Sequence, residues 1–217
     1  MENNILVVLP HPDDESFGAS GTLAKRVHEG ARVTYACLTL GEMGRNMGNP
    51  PFASRITLPA VRKLELAESC RSIGIQDVRM LGFHDKTIEF EPHEVLDGKI
   101  KSLIQELKPS LIITFYPGYS VHPDHDATGA AVIRTVRKMP EEKRPVVHCI
   151  AFSKNHEQYI GKPDVVNDVS DYIEQKINSI KAHRSQFMDI LGEHEQSQDE
   201  MIKRFGKETF WTYRFDS

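Results

Sequence analysis

Apolar residues run without a break from Ile5 to Leu9 and stop at Pro10. A run this short, with no alternation, marks a strand covered on both faces, so Asn4 to Pro10 is read as the first strand. Gly21 to Glu29 follows as a helix stopped at Gly30, and Arg32 to Leu40 as a second strand. Leu58, Val61, Leu64 and Cys70 then outline a helix that ends near Gly74, before a short strand at Val78 to Leu81. Leu96, Ile100, Leu103 and Leu107 recur at i, i+4, i+7 and i+11, the stripe of an amphipathic helix, closed by Pro109. Ser110 to Tyr116 is again strand, Ala127 to Lys138 helix and Val146 to Phe152 strand. Ile173, Ile177, Ile180, Phe187 and Leu191 predict one long late helix, and Phe210 to Phe215 a closing edge strand. Alternation of this kind predicts a Rossmann-like three-layer α/β sandwich with a mainly parallel sheet, in one domain over residues 1–217. Gly41 to Leu58 breaks the rhythm. Its glycines and prolines without a period predict a long loop, and such loops inside a compact domain are usually functional.

Composition narrows the classes of function. Apolar residues make up 39% and charged residues 27% of the 217, a globular balance. A net charge of −4 without a basic patch argues against nucleic acid as a partner. The apolar runs are too short to span a membrane, and the amino terminus passes straight into a strand, with no room for a signal peptide. Cys37, Cys70 and Cys149 each sit in an apolar segment, which excludes a disulfide framework and predicts a cytoplasmic protein.

The chemistry gathers in two short segments. His11-Pro12-Asp13-Asp14-Glu15 follows the first strand directly, at the sheet edge where ligands of open α/β folds bind. One imidazole and three carboxylates in five residues repel and desolvate one another unless a cation or hydrogen bonds compensate. Capping of the next helix explains one such residue, not five. His122-Pro123-Asp124-His125 follows the strand Ser110 to Tyr116 and falls at the same edge. Two imidazoles around an aspartate can supply a metal ligand and an acid–base group. His28, His93, His148, His156 and His194 carry no such neighbours and read as ordinary surface residues. Histidine nitrogen and carboxylate oxygen together suit zinc with an open position for water, the chemistry of amide hydrolysis. Two alternatives stay open at this point. His11-x-Asp13 with a distant histidine also fits an iron(II) facial triad with Asp13 as ligand, and a binding module could use the metal structurally.

Both segments resemble the opening and distal motifs of the LmbE-like deacetylases, a family that includes the PIG-L type de-N-acetylases and the mycothiol and bacillithiol pathway enzymes. Gly41-Glu42-Met43-Gly44, Arg62 with Glu65, Leu81-Gly82-Phe83 with Asp85, and Ala182-His183-Arg184-Ser185-Gln186 resemble further segments of that family. The resemblance implies one zinc ion per chain on His11, Asp14 and His125, with Asp13 as general base. It implies His122, oriented by Asp124, as oxyanion stabiliser or proton donor, and Arg62 as receptor for a substrate anion such as a malate carboxylate. Arg45 and Arg55 are further candidates for that anion, with Glu42, Asp85 and Tyr119 as substrate contacts. The loop bearing Arg45, Asn46, Asn49, Pro50, Pro51 and Arg55 looks most like the bacillithiol-pathway members, which act on N-acetylglucosaminyl malate. A homo-oligomer is the assembly the resemblance implies. Two positions depart from the pattern: Pro10, where many relatives carry alanine, which alters no implied ligand, and His84, an added histidine without an assigned role near the implied substrate pocket.

Overall fold

The computed structural model of the chain describes residues 3–187 and 197–215. Seven strands form the sheet: β1 (Asn4–Leu9), β2 (Arg32–Cys37), β3 (Asp77–Met80), β4 (Leu111–Phe115), β5 (Val146–Ile150), β6 (Val165–Asp168) and β7 (Lys207–Thr212). Their order is β3-β2-β1-β4-β5-β7-β6. The first five run parallel, and β7 pairs antiparallel with both β5 and β6.

The apolar run of β1 is explained by its place in the middle. Val7 and Leu9 pack with Leu23, Leu66 and Cys70 on one face, while Leu6 and Val8 pack with Leu96, Ile100 and Val132 on the other. Side chains alternate across a strand, so a strand covered twice is apolar at every position. The first layer of helices is α1 (Asp14–Gly18), α2 (Ser20–His28) and α3 (Leu58–Ser72), and the opposite layer is α4 (His93–Leu107) and α5 (Pro123–Arg137). After β5 come α6 (His156–Ile160), α7 (Ile173–Ala182), α8 (Arg184–Phe187) and α9 (Gln198–Phe205), with α7 packed on α2 and α3. The fold is the expected three-layer sandwich.

Several details differ from the expectation. The long late helix is broken at His183, whose backbone leaves the helical region. His183 Nε2 bonds Glu15 at 2.7 Å, and the Ser185 amide and hydroxyl both donate to Glu65, so tertiary hydrogen bonds replace the next helical turn. Leu191, counted in that helix, lies outside the described residues. The last strand is not an edge: β7 is interior, with Phe210 and Trp211 buried, and the edge is β6. Four residues, Val-Val-Asn-Asp, carry too little pattern for β6 to be read from sequence. Helix α5 begins at Pro123 rather than Ala127, which puts the second histidine motif inside its first turn.

Candidate active site

The strand order reverses at β1, whose neighbours β2 and β4 lead away in opposite directions. A crevice opens at such a switch point beyond the carboxyl ends of the strands. The turn after β1 and the start of α1 carry His11 to Asp14, and the end of the loop after β4 and the first turn of α5 carry His122 to His125. Close packing of α5 on β4 brings the second motif in. A Cβ at Gly129 would lie 2.2 Å from the Phe115 carbonyl oxygen, so only glycine permits this approach. Pro123 starts α5, and His122 caps it by accepting the Asp124 amide on Nδ1 at 3.2 Å.

His11 and His125 meet across the crevice. His11 Nε2 stands 3.2 Å from both Asp124 Oδ2 and Asp85 Oδ1, and His125 Nδ1 stands 3.0 Å from the Ser120 carbonyl. Acceptors at those positions fix the protons on His11 Nε2 and His125 Nδ1. The remaining nitrogens, His11 Nδ1 and His125 Nε2, then face each other as lone pairs 3.2 Å apart. Asp14 closes the triangle, with Oδ1 3.2 Å from His125 Nε2 and Oδ2 3.5 Å from His11 Nδ1. Three acceptors converging in a buried place repel one another, and a cation between them would offset that repulsion. Tetrahedral zinc with bonds of about 2.0–2.1 Å spaces its ligand atoms by about 3.3 Å, so these residues fit that ion.

The electrostatics show a site that attracts positive charge. Burial opposes a charge on His11, yet the carboxylates of Asp124, Asp14 and Asp85 hold its pKa well above the usual imidazole value. Burial likewise opposes ionisation of Asp14, but the His125 and His11 rings hold the carboxyl far below the usual range. Among the described residues, nitrogens of His11, His122 and His125 also cluster within 4.8 Å, as do ligand atoms of His11, Asp85 and Asp124. The second of these groups is the imidazole N–H with its two acceptors. Asp124 also receives the Lys86 and Ile88 amides, and Asp85 the Met43 amide, so those carboxylates have partners already.

Asp13 stands beside the triangle, with its own partners. Its backbone is left-handed at φ 114°, a conformation unusual for a residue other than glycine. Glu15 Oε2 accepts its amide at 3.2 Å, and Arg62 Nη2 donates to its Oδ2 at 2.7 Å. Burial pushes the Asp13 carboxyl up to about 6, opposed first by the Arg62 guanidinium. A facial triad would need Asp13 among the converging atoms, but Asp14 occupies that place.

Some expected roles are corrected. Arg62 lines the cleft but is buried, with its guanidinium on Asp13, the Pro12 carbonyl and the Gly41 carbonyl, so the chain itself already engages both of its Nη atoms. A Cβ at Gly41 would lie 1.7 Å from Arg62 Nη1, which explains the glycine there. The Asp124 carboxylate orients His11, and the hydrogen bond between Asp124 and His122 runs through the Asp124 backbone amide. Arg55 clamps the Glu42 and Gly44 carbonyls, and Glu42 accepts the Asp85 amide, so both shape the loop after β2. Tyr119 packs on Tyr116 and Tyr159 and does not line the crevice. Arg45 and Asp85 do line it, a cleft of about 360 Å³ shared with Met43, Lys86 and Gln186. Sequence reasoning missed Lys86 and Gln186. It also missed the work of Glu15, whose carboxylate joins Asp13, Tyr35, Ser69 and His183 behind the site. The segment Ala182 to Gln186 was the available signal.

Comparison with known proteins settles the family. The description of the PIG-L family, GlcNAc-PI de-N-acetylase, matches residues 6–136, which include both histidine motifs. The chain belongs to the PIG-L family. It is an N-deacetylase, a hydrolase of the same kind as its PIG-L relatives. A Bacillus cereus protein described as "Probable N-acetyl-alpha-D-glucosaminyl L-malate deacetylase 2" is 50% identical over the full length of both chains. A Bacillus subtilis protein of the same description is 48% identical, again over the full length of both. Among solved structures, the N,N'-diacetylchitobiose deacetylase of Pyrococcus horikoshii superposes with a TM-score of 0.73 at 26% identity, covering 96% of this chain and 82% of its own.

Proposed function

We propose that this chain removes the acetyl group from N-acetylglucosaminyl L-malate, using a zinc ion held by His11, Asp14 and His125. The observation that carries the metal assignment is the convergence of His11 Nδ1, His125 Nε2 and the two Asp14 oxygens at 3.2, 3.2 and 3.5 Å, backed by hydrogen bonds that leave both histidines a free lone pair. The substrate assignment is supported by the full-length likeness to the two Bacillus proteins. Zinc at this position supplies a Lewis acid for the amide carbonyl and lowers the pKa of water towards about 7.

The chain's own residues supply the proton transfers. Asp13 takes a proton from the attacking water, and its raised pKa of about 6 suits a base working near neutrality. Arg62 and Glu15 fix the direction of that carboxylate, which leaves the reacting groups little freedom to lose. His122 accepts a backbone amide on Nδ1, so its proton sits on Nε2. Burial, then the neighbouring His11 and His125 rings, lower its pKa and keep it neutral. A neutral ring with Nε2–H acts as a hydrogen-bond donor to the developing oxyanion. Asp13 then returns its proton to the departing nitrogen, the C–N bond breaks, and acetate and free amine result. The test is an assay of zinc-loaded protein against N-acetylglucosaminyl malate, a neutral methyl N-acetylglucosaminide and diacetylchitobiose, measuring released amine. The malate conjugate is the best substrate expected. No turnover of any acetylated amino sugar removes the proposal.

A further inference from the structure

Accounting for charge around the cleft leaves two cations over. Its carboxylates are accounted for: Asp13 has Arg62, Asp14 accepts the His11 amide and faces the proposed metal position, and Asp85 has His11 and the Met43 amide. Arg62 is buried and bound on three sides. Arg45 and Lys86 line the same cleft, are exposed, and form no ion pair or side-chain hydrogen bond among the described residues.

Both stand on anchored backbone from different loops. Around Arg45, Arg55 clamps the Gly44 carbonyl at 2.8 Å, and the Asn46 side chain donates to the Gln186 carbonyl at 2.9 Å. The Lys86 amide donates to Asp124 at 2.6 Å, so its backbone is tied to the carboxylate that orients His11. Lys86 also holds φ 66°, a left-handed conformation that favours glycine and disfavours a residue with a Cβ. A lysine at such a position has its side chain to justify it, since the backbone alone is better served without one.

We infer that Arg45 and Lys86 form an anion subsite at the rim, which receives the two carboxylates of a small dicarboxylate joined to the amino sugar. The inference rests on the deacetylase reading of this cleft and replaces Arg62 in the role of anion receptor. Arg45 suits one carboxylate through its planar fork, and Lys86 the other as a point charge.

Lys86→Gly separates backbone from side chain. It relieves the left-handed strain, so the melting temperature stays level or rises, while the ammonium is lost. The ratio of kcat/KM on N-acetylglucosaminyl malate to kcat/KM on the methyl N-acetylglucosaminide is expected to fall at least about tenfold, mainly through KM. Arg45→Ala lowers the ratio similarly, Lys86→Arg restores most of it, and added sodium chloride lowers the wild-type ratio by screening. A wild-type enzyme that prefers the malate conjugate, together with variants that keep that preference, overturns the subsite and leaves the deacetylase reading standing. If the wild type turns over neither substrate, the deacetylase reading falls, and calorimetric binding of the conjugate to wild type and Lys86→Gly decides the subsite: equal affinities overturn it.

Discussion

Asp13 shows how much of a site is set by the groups behind it. Its carboxylate sits on a backbone at φ 114° that it would not choose alone, held by Glu15 at the amide and Arg62 at the oxygen. Its proposed role, a base outside the metal ligands, carries a distinct signature. Asp13→Asn is expected to lower kcat by about 10²- to 10⁴-fold while elemental analysis finds wild-type zinc, whereas His125→Ala loses the zinc. Full occupancy in the His125 variant means the ligand set is wrong. Arg62→Lys keeps a charge but not the fork across Asp13 and two carbonyls, so kcat on neutral and malate-bearing substrates should fall together, by about tenfold or more. A loss confined to the malate conjugate would return Arg62 to the role of anion receptor. The histidine motifs were readable in the sequence because each is local, five and four residues long. Partners were not: Asp124 lies one residue from Pro123 and His125 but gives its carboxylate to His11, 113 positions away. Spacing along a chain carries no record of that contact.

Among the elements, the same limit explains the broken late helix. The apolar stripe of Ile173, Ile177 and Ile180 is real and packs as α7, but the chain leaves the helix where His183 and Ser185 find Glu15 and Glu65. Propensity favours continuation, and buried polar groups override it. Strand β7 escaped the edge for a similar reason. Its Glu208 is buried, accepts the Gly21 and Thr22 amides at 3.0 and 2.7 Å at the start of α2, and pairs with Lys176 on α7. One side chain thus pins the last strand to two helices of one layer. Removing one partner of a buried pair leaves the other charge uncompensated, which costs about 3–5 kcal/mol. Lys176→Met is expected to lower stability by about that amount in urea unfolding, with an unchanged m-value. A loss under about 1 kcal/mol would mean that water reaches Glu208 and that the pin holds nothing.

At the scale of the whole molecule, the parallel half of the sheet was readable because β1, β2 and β4 are covered on both faces and therefore apolar at most positions. What no periodicity shows is the concentration of charge that this sheet creates at one edge. Asp13, Asp14, Glu15, Asp85 and Asp124 converge there, in a chain already at net charge −4. Such a concentration opposes the compact state unless a cation offsets it. Metal binding should therefore stabilise the fold as a whole, because the cluster of His11, Asp14 and His125 joins the chain segments that follow β1 and β4 and exists only in the folded chain. An ion at about a thousand times its dissociation constant adds about 4 kcal/mol, and each kcal/mol moves the melting temperature of a chain this size by about 2–4 °C. Chelation is thus expected to lower the melting temperature by on the order of 10 °C, and zinc to restore it. His125→Ala, lacking a ligand, should melt at the same temperature with and without chelator. A wild-type protein shown by elemental analysis to be metal-free, yet melting where the loaded form does, would mean that protons and hydrogen bonds alone compensate these carboxylates.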